Sequence, residues 1–186
     1  MECGCLTKVL LIHTLTLSRI PLSFLFCTVL LLSHDPLLPC AALFLLVAVS
    51  DYLDGKLARK YKVQSRMGAV LDVAADFFFI GAACSSLNIL GLLPGWMLAV
   101  ILIKFIEFWI SSAYYKRNNN TAMFLFDPLG RLAAVLFYAL PVAVLLFQFC
   151  FPEGVFQAVL EIICTVITGM AVMSSFLRIT STVKRG

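Results

Sequence analysis

Charge is scarce in this chain. Asp, Glu, Lys and Arg make up 13% of its 186 residues, while 62% are hydrophobic. A soluble domain is usually about 45–50% apolar, so that class is excluded. The sequence has no alternating ten-residue pattern, which argues against spanning strands. A backbone in lipid must satisfy its own hydrogen bonds, and helices do so within one segment. No internal repeat or low-complexity stretch stands out. The basic residues are spread over short segments rather than gathered on one surface, which argues against nucleic acid as a partner. The seven cysteines are an odd count and imply no disulfide framework. Cys27, Cys40, Cys84, Cys150 and Cys164 lie in apolar runs, where cysteine behaves as a small hydrophobe. Cys3 and Cys5 form a C-x-C, which is two ligands without partners. No small-residue cleavage site follows the first apolar run, so no removable signal peptide is expected.

What remains is apolar length. Six segments, about 15–33, 37–58, 67–90, 94–115, 128–150 and 154–177, each approach the roughly 20 residues a helix needs to cross a bilayer. The expectation is an all-α integral membrane protein. It would form a single domain over 1–186, with six transmembrane helices and a short interfacial helix over 1–13. The breaks at Ser33–Pro36, Asn88–Gly95 and Phe151–Gly154 contain no Lys or Arg. The other side holds Lys8 and Arg19, the group Lys56 to Arg66, Lys116, Arg117 and Arg131, then Arg178, Lys184 and Arg185. By the positive-inside rule, both termini and the loop after the second span face the cytoplasm.

The acids break the apolar pattern. Within 51–76 stand Asp51, Asp54, Asp72 and Asp76, and a carboxylate in a membrane helix costs roughly 2.5–3.5 kcal/mol on insertion scales. Asp51 and Asp54 are three apart and Asp72 and Asp76 four apart, so each pair shares a helix face. Two such helices joined by a short loop can aim all four at one point. Their mutual repulsion calls for hard divalent cations, which bind carboxylate oxygens and phosphates. Elsewhere, Lys104 and Glu107 are i,i+3 and can neutralise each other, and Glu161 either snorkels outward or pairs within the bundle.

The stretch 51–76 resembles the signature of the CDP-alcohol phosphotransferase family, D-x2-D-G-x2-A-R-x8-G-x3-D-x3-D. Asp51, Asp54, Gly55, Ala58, Arg59, Gly68, Asp72 and Asp76 match with no spacing changed. The resemblance implies transfer of a phosphatidyl group from CDP-diacylglycerol to the hydroxyl of a small alcohol, with release of CMP. It implies two Mg²⁺ or Mn²⁺ ions held by Asp51, Asp54, Asp72 and Asp76, with Asp76 also the general base. It implies contacts to the CDP group from Gly55, Arg59, Ser65 and Gly68. It also implies a homodimer in a bacterial-type plasma membrane, with the active site facing the cytoplasm.

The run His13 to Arg19 is similar to the family's opening pattern N-x-x-T-x-x-R, with His13 in place of Asn and with Thr16 and Arg19 kept. This makes His13 and Thr16 candidate nucleotide contacts. Arg19 is a candidate to steady the acids or a phosphate. Residues 15–21 and 50–60 look most like phosphatidylglycerophosphate synthases, which points to glycerol 3-phosphate as acceptor. Those enzymes carry D-P-x-A-D-K where this chain has Asp72-Val73-Ala74-Ala75-Asp76-Phe77. Inositol phosphate, serine or a phospholipid therefore stay open as acceptors. Arg131 is the first candidate to bind the acceptor, ahead of Lys116 and Arg117; membrane-edge anchoring is the competing reading for all three. A non-catalytic membrane protein that binds divalent ions is the competing function. The run Phe77-Phe78-Phe79 suits either a dimer interface or lipid contact.

Overall fold

The computed structural model describes the backbone of residues 3–61, 66–118 and 128–183, and side chains at 14–61, 68–111, 128–178 and 180. Among the described residues the six elements are all helices: α1 (Cys3–Leu32), α2 (Leu37–Tyr61), α3 (Arg66–Ile89), α4 (Gly95–Asn118), α5 (Pro128–Cys150) and α6 (Glu153–Val183). Five contain stretches long and apolar enough to cross a membrane: Thr14–Leu32, Leu37–Tyr61, Gly68–Ile89, Pro128–Cys150 and Glu153–Arg178. Among the described residues α4 is not one of them; it carries Lys104 and Glu107 in mid-helix.

Residues 3–13, expected as a short interfacial helix, are helical. They are the first turns of α1, which runs unbroken to Leu32. No proline or glycine lies between Cys5 and Ile20 to end a helix there.

Three of the breaks between helices follow from proline. Pro36, Pro94 and Pro152 each stand just before a helix, and their carbonyls accept early backbone bonds from Cys40 (2.9 Å), Met97 (3.0 Å) and Val155 (3.0 Å). Proline is suited to a helix start because its missing N–H is not needed there. The end of α3 closes through Gly91, whose φ is 72°. Leu92 N–H reaches back to Leu87 O (2.9 Å), a glycine-dependent stop. Asn88 Nδ2 donates to Leu93 O (2.8 Å) and ties off the turn.

The chain divides into two compact units, 1–86 and 87–186. In the first, α1 packs along α2. Its buried stripe is Thr16, Arg19, Ser23, Phe26 and Leu30, an alternation of three and four residues that keeps one helix face inward. The buried positions of α2 are Cys40, Val47, Ser50 and Asp54. On both helices the apolar residues gather at one end and the polar ones at the other. α3 adds the acids Asp72 and Asp76 early and Phe79 and Ala83 later. Phe79 is fully buried, 5.4 Å from Phe26 and 6.2 Å from Phe44 between ring centroids. It is a core residue of this unit, neither a lipid contact nor part of a dimer face. Phe78 is partly exposed and pairs with Phe24 at 5.4 Å.

In the second unit, α6 packs against both α5 and α4. Its buried face is Phe156, Leu160, Cys164, Ile167, Ala171, Ser174 and Arg178, and α5 turns Ala133, Phe137, Leu140 and Val144 inward. Both read at helical spacing. Hydroxyls along the helices donate to their own preceding turn, as at Ser23 to Arg19 O (2.6 Å) and Ser86 to Ala82 O (3.0 Å). That satisfies them without water.

Candidate metal and active site

The polar end of the first unit is where α1, α2 and α3 bring their charged residues together. Asp51 and Asp54 fall on one face of α2 because α2 continues as a helix to Tyr61. Asp72 and Asp76 fall on one face of α3 for the same reason. The four carboxylates converge, as their spacing predicts, and they do so around Arg19 of α1. Arg19 Nη2 lies 2.8 Å from Asp51 Oδ1, 2.6 Å from Asp54 Oδ2 and 2.8 Å from Asp72 Oδ1. Arg19 Nη1 lies 2.6 Å from Asp76 Oδ1.

Exposure separates the acids. The Asp54 side chain is 5% exposed, whereas those of Asp51, Asp72 and Asp76 are 42%, 41% and 32% exposed. Asp54 Oδ2 also accepts a hydrogen bond from Thr16 Oγ1 at 3.0 Å. One of its oxygens is therefore committed to α1 twice over. The other three acids offer oxygens that all lie within 4.8 Å of one another. This donor set fits a hard divalent cation, which takes carboxylate oxygens and keeps open positions for water or phosphate. Charge points the same way. Four carboxylates share one guanidinium, so their charge when ionised exceeds what Arg19 supplies, and a cation would offset it.

Gly55 and Arg59 also meet. A Cβ built on Gly55 would stand 3.9 Å from both terminal nitrogens of Arg59. The guanidinium thus lies back along α2 over the glycine, one turn beyond Asp51. Its own surface is exposed. Gly68 is partly buried near the start of α3. Ser65 lies outside the described residues, and His13, Lys116 and Arg117 lie outside the described side chains. Arg131 is exposed in the first turn of α5, in the second unit.

A second charged cluster joins α4 and α6. The Lys104–Glu107 pair read from spacing forms, at 2.8 Å. Lys104 Nζ also donates to Ser174 Oγ (3.2 Å) and Ser175 Oγ (2.8 Å). Ser175 Oγ in turn donates to Glu107 Oε2 (3.0 Å). Arg178 stands 3.8 Å from Glu107 Oε1 and lies over the Phe108 ring at 5.3 Å. The α6 partners were missed in the sequence because they lie 68 to 71 residues away. Their one visible sign was a pair of serines and an arginine on the inward stripe of α6. Glu161 is exposed on α6.

A helical membrane-type chain with an acid cluster at one end of a three-helix unit belongs among intramembrane enzymes or ion-binding proteins. Comparison with known proteins narrows this. The profile of the CDP-alcohol phosphatidyltransferase family matches residues 10–176, and the chain belongs to that family. It is similar to a probable phosphatidylglycerophosphate synthase of Mycobacterium tuberculosis, 40% identical over 63 residues, which are 34% of this chain and 30% of the relative. It is similar to a cardiolipin synthase (CMP-forming) of Streptomyces coelicolor, 44% identical over 59 residues, 32% of this chain and 27% of the relative. It is also similar to a CDP-diacylglycerol–glycerol-3-phosphate 3-phosphatidyltransferase of Cereibacter sphaeroides, 41% identical over 70 residues, 37% of this chain and 32% of the relative. The matched stretches span about a third or less of these relatives' own lengths.

Proposed function

We propose that this protein transfers a phosphatidyl group from CDP-diacylglycerol to a hydroxyl of glycerol 3-phosphate and releases CMP, as a step in phospholipid synthesis. The observation that carries the reading is the convergence of Asp51, Asp54, Asp72 and Asp76 from two helices onto one point in a chain of this family. Asp51, Asp54 and Asp72 hold divalent cations, with Asp76 reaching both cation and acceptor. Bound there, Mg²⁺ or Mn²⁺ supplies the positive charge that a diphosphate needs in order to part. Arg59, with Gly55 beneath it, grips a phosphate of the nucleotide through paired N–H groups. Ser65, Gly68, Thr16 and His13 line the same nucleotide. Asp76 takes the proton of the attacking hydroxyl, a task for a carboxylate within one hydrogen bond or one water of it.

The membrane arrangement belongs to the same reading. All six helices cross the bilayer, α4 included, as one domain over 1–186. Both termini and the acid cluster lie at the cytoplasmic face, because every break without Lys or Arg falls on the other side. Nucleotide then meets the acids from water while the acyl chains stay in lipid. The working form is a homodimer in a plasma membrane of bacterial type.

Two of the relatives described above carry glycerol-phosphate products or acceptors in their names, which supports that acceptor. Arg131, with Lys116 and Arg117, supplies the cations for its phosphate. The relative named a cardiolipin synthase and the Phe77 that stands in place of a lysine favour a second acceptor, another phospholipid. Purified protein with CDP-diacylglycerol and a panel of alcohols, read by CMP release and by mass spectrometry of the lipid, tests both. A phosphatidylglycerophosphate product supports the first acceptor and a cardiolipin product the second. CMP release that survives chelation, or ion uptake without nucleotide turnover, contradicts the whole reading.

A further inference from the structure

In the first unit the positive charge facing all four aspartates is the guanidinium of Arg19, fully buried. Three of those aspartates, Asp51, Asp72 and Asp76, are the group whose oxygens lie close enough together to share a cation. One nitrogen, Nη2, serves Asp51, Asp54 and Asp72 at 2.6 to 2.8 Å. A divalent ion and that nitrogen would seek the same oxygens, and two positive charges at such a distance repel strongly in a partly buried site. The grip is also one-sided. Arg19 Nε is buried and has no hydrogen-bond partner among the described residues, so the guanidinium is held through its outer edge. Asp54, the most buried acid, keeps Thr16 as a second partner.

We infer that Arg19 is a resident counter-ion of this site, which holds the aspartates together before cations bind and competes with cations for Asp51, Asp72 and Asp76. This rests on the metal-dependent reading above. It makes Arg19 a positioning residue with two consequences. While Arg19 Nη1 holds Asp76 Oδ1 at 2.6 Å, that oxygen is engaged and cannot serve an incoming hydroxyl. Cations held by Asp51, Asp72 and one oxygen of Asp76 would leave the guanidinium to Asp54, and Asp76 Oδ1 would be released from Arg19. Loading the site and readying the base thus become one event. Arg19 also limits cation affinity, so that half-loaded states without substrate phosphate are disfavoured.

The test is cation binding by the full chain in lipid nanodiscs without nucleotide, with free Mn²⁺ followed by electron paramagnetic resonance. Wild type, Arg19→Gln, Arg19→Lys and Asp72→Asn are compared. Asp72→Asn is expected to bind Mn²⁺ about tenfold or more weakly than wild type, as loss of a ligand should. Arg19→Gln is expected to bind about tenfold more tightly, because the competing charge is gone. Arg19→Lys, with one compact charge in place of a fork, should bind about threefold more tightly. In chelator Arg19→Gln melts below wild type, and Mn²⁺ raises its melting temperature by more than it raises that of wild type. Mn²⁺ binding by Arg19→Gln no tighter than wild type, with Asp72→Asn weakened, overturns the role of Arg19 and leaves the ion site standing. If Arg19→Gln does not fold, unchanged affinity in Arg19→Lys overturns it equally. Failure of wild type itself to bind Mn²⁺ removes the ion-binding reading and this inference together.

Discussion

The two units each bury a charged cluster, and the two are built in opposite proportions. In residues 1–86 one arginine serves four aspartates. In residues 87–186 one glutamate serves a lysine and an arginine, with serines filling in. The α4–α6 cluster is closed around Lys104, whose three protons meet Glu107, Ser174 and Ser175, while Glu107 Oε1 has Arg178 at 3.8 Å and no hydrogen bond among the described residues. Such closure is what a structural pairing inside a membrane requires. The α1–α3 cluster is not closed. Its acids outnumber their counter-charge, and three of them keep about a third or more of their side-chain surface exposed. Excess charge that stays accessible marks a site meant to receive something, and satisfied charge marks a fastening.

Substitutions should break the two clusters differently. The largest effect is expected from Asp76→Asn, which should lower CMP release from CDP-diacylglycerol by about 10³-fold or more while leaving the protein folded. Loss of stability without that selective loss of turnover would make the two clusters alike. Removal of divalent cations with a chelator comes next. Activity should fall to background and return on adding Mg²⁺ or Mn²⁺. The behaviour of the α4–α6 cluster, followed through the melting of Glu107 variants, should not respond to the metal.

Glu107→Gln is the converse test. It removes the negative charge that faces Lys104 and Arg178 and should cost about 2–3 kcal/mol of stability, less than a fully buried pair because both groups of the Lys104–Glu107 pair keep some exposure. Its turnover per folded molecule should stay near wild type. A selective collapse of turnover there would move α4 into the chemistry.

Gly55 and Thr16 sharpen the picture on the acid side. Gly55→Leu pushes a side chain through the place of the Arg59 guanidinium, where a Cβ alone already makes contact at 3.9 Å. It should raise KM for CDP-diacylglycerol about tenfold with a smaller change in kcat, whereas Gly55→Ala should be nearly silent. Thr16→Val is expected to have the smallest effect, about 1 kcal/mol of stability from the lost hydrogen bond to Asp54.

The sequence made local geometry readable and long-range partners unreadable. The spacings of Asp51 with Asp54 and of Asp72 with Asp76 announced shared faces, and the Lys104–Glu107 pair was legible for the same reason. Arg19 was a candidate partner for the acids, but its central position was not foreseen. Its partners lie 35 and 57 residues away at Asp54 and Asp76, and only packing of α1 against α2 and α3 brings them together. The stripe Thr16, Arg19, Ser23, Phe26, Leu30 held that information, because it places Arg19 on the inward face of its helix. Phe79 was misjudged for a related reason. Three adjacent phenylalanines look alike in sequence, yet successive helix positions are about 100° apart, so they cannot all face lipid. The unbroken run of α1 from Cys3 to Leu32 was not foreseen, because mixed polarity at 1–13 was taken for a boundary although no proline or glycine lies between Cys5 and Ile20.

The most direct test of the central claim is a structure of the full chain determined with Mn²⁺ and read by anomalous scattering. The account predicts Mn²⁺ peaks bounded by the carboxylates of Asp51, Asp72 and Asp76, with the Arg19 guanidinium drawn away from them. Peaks located elsewhere, or an Arg19 still gripping all four aspartates in protein saturated with Mn²⁺, would contradict it.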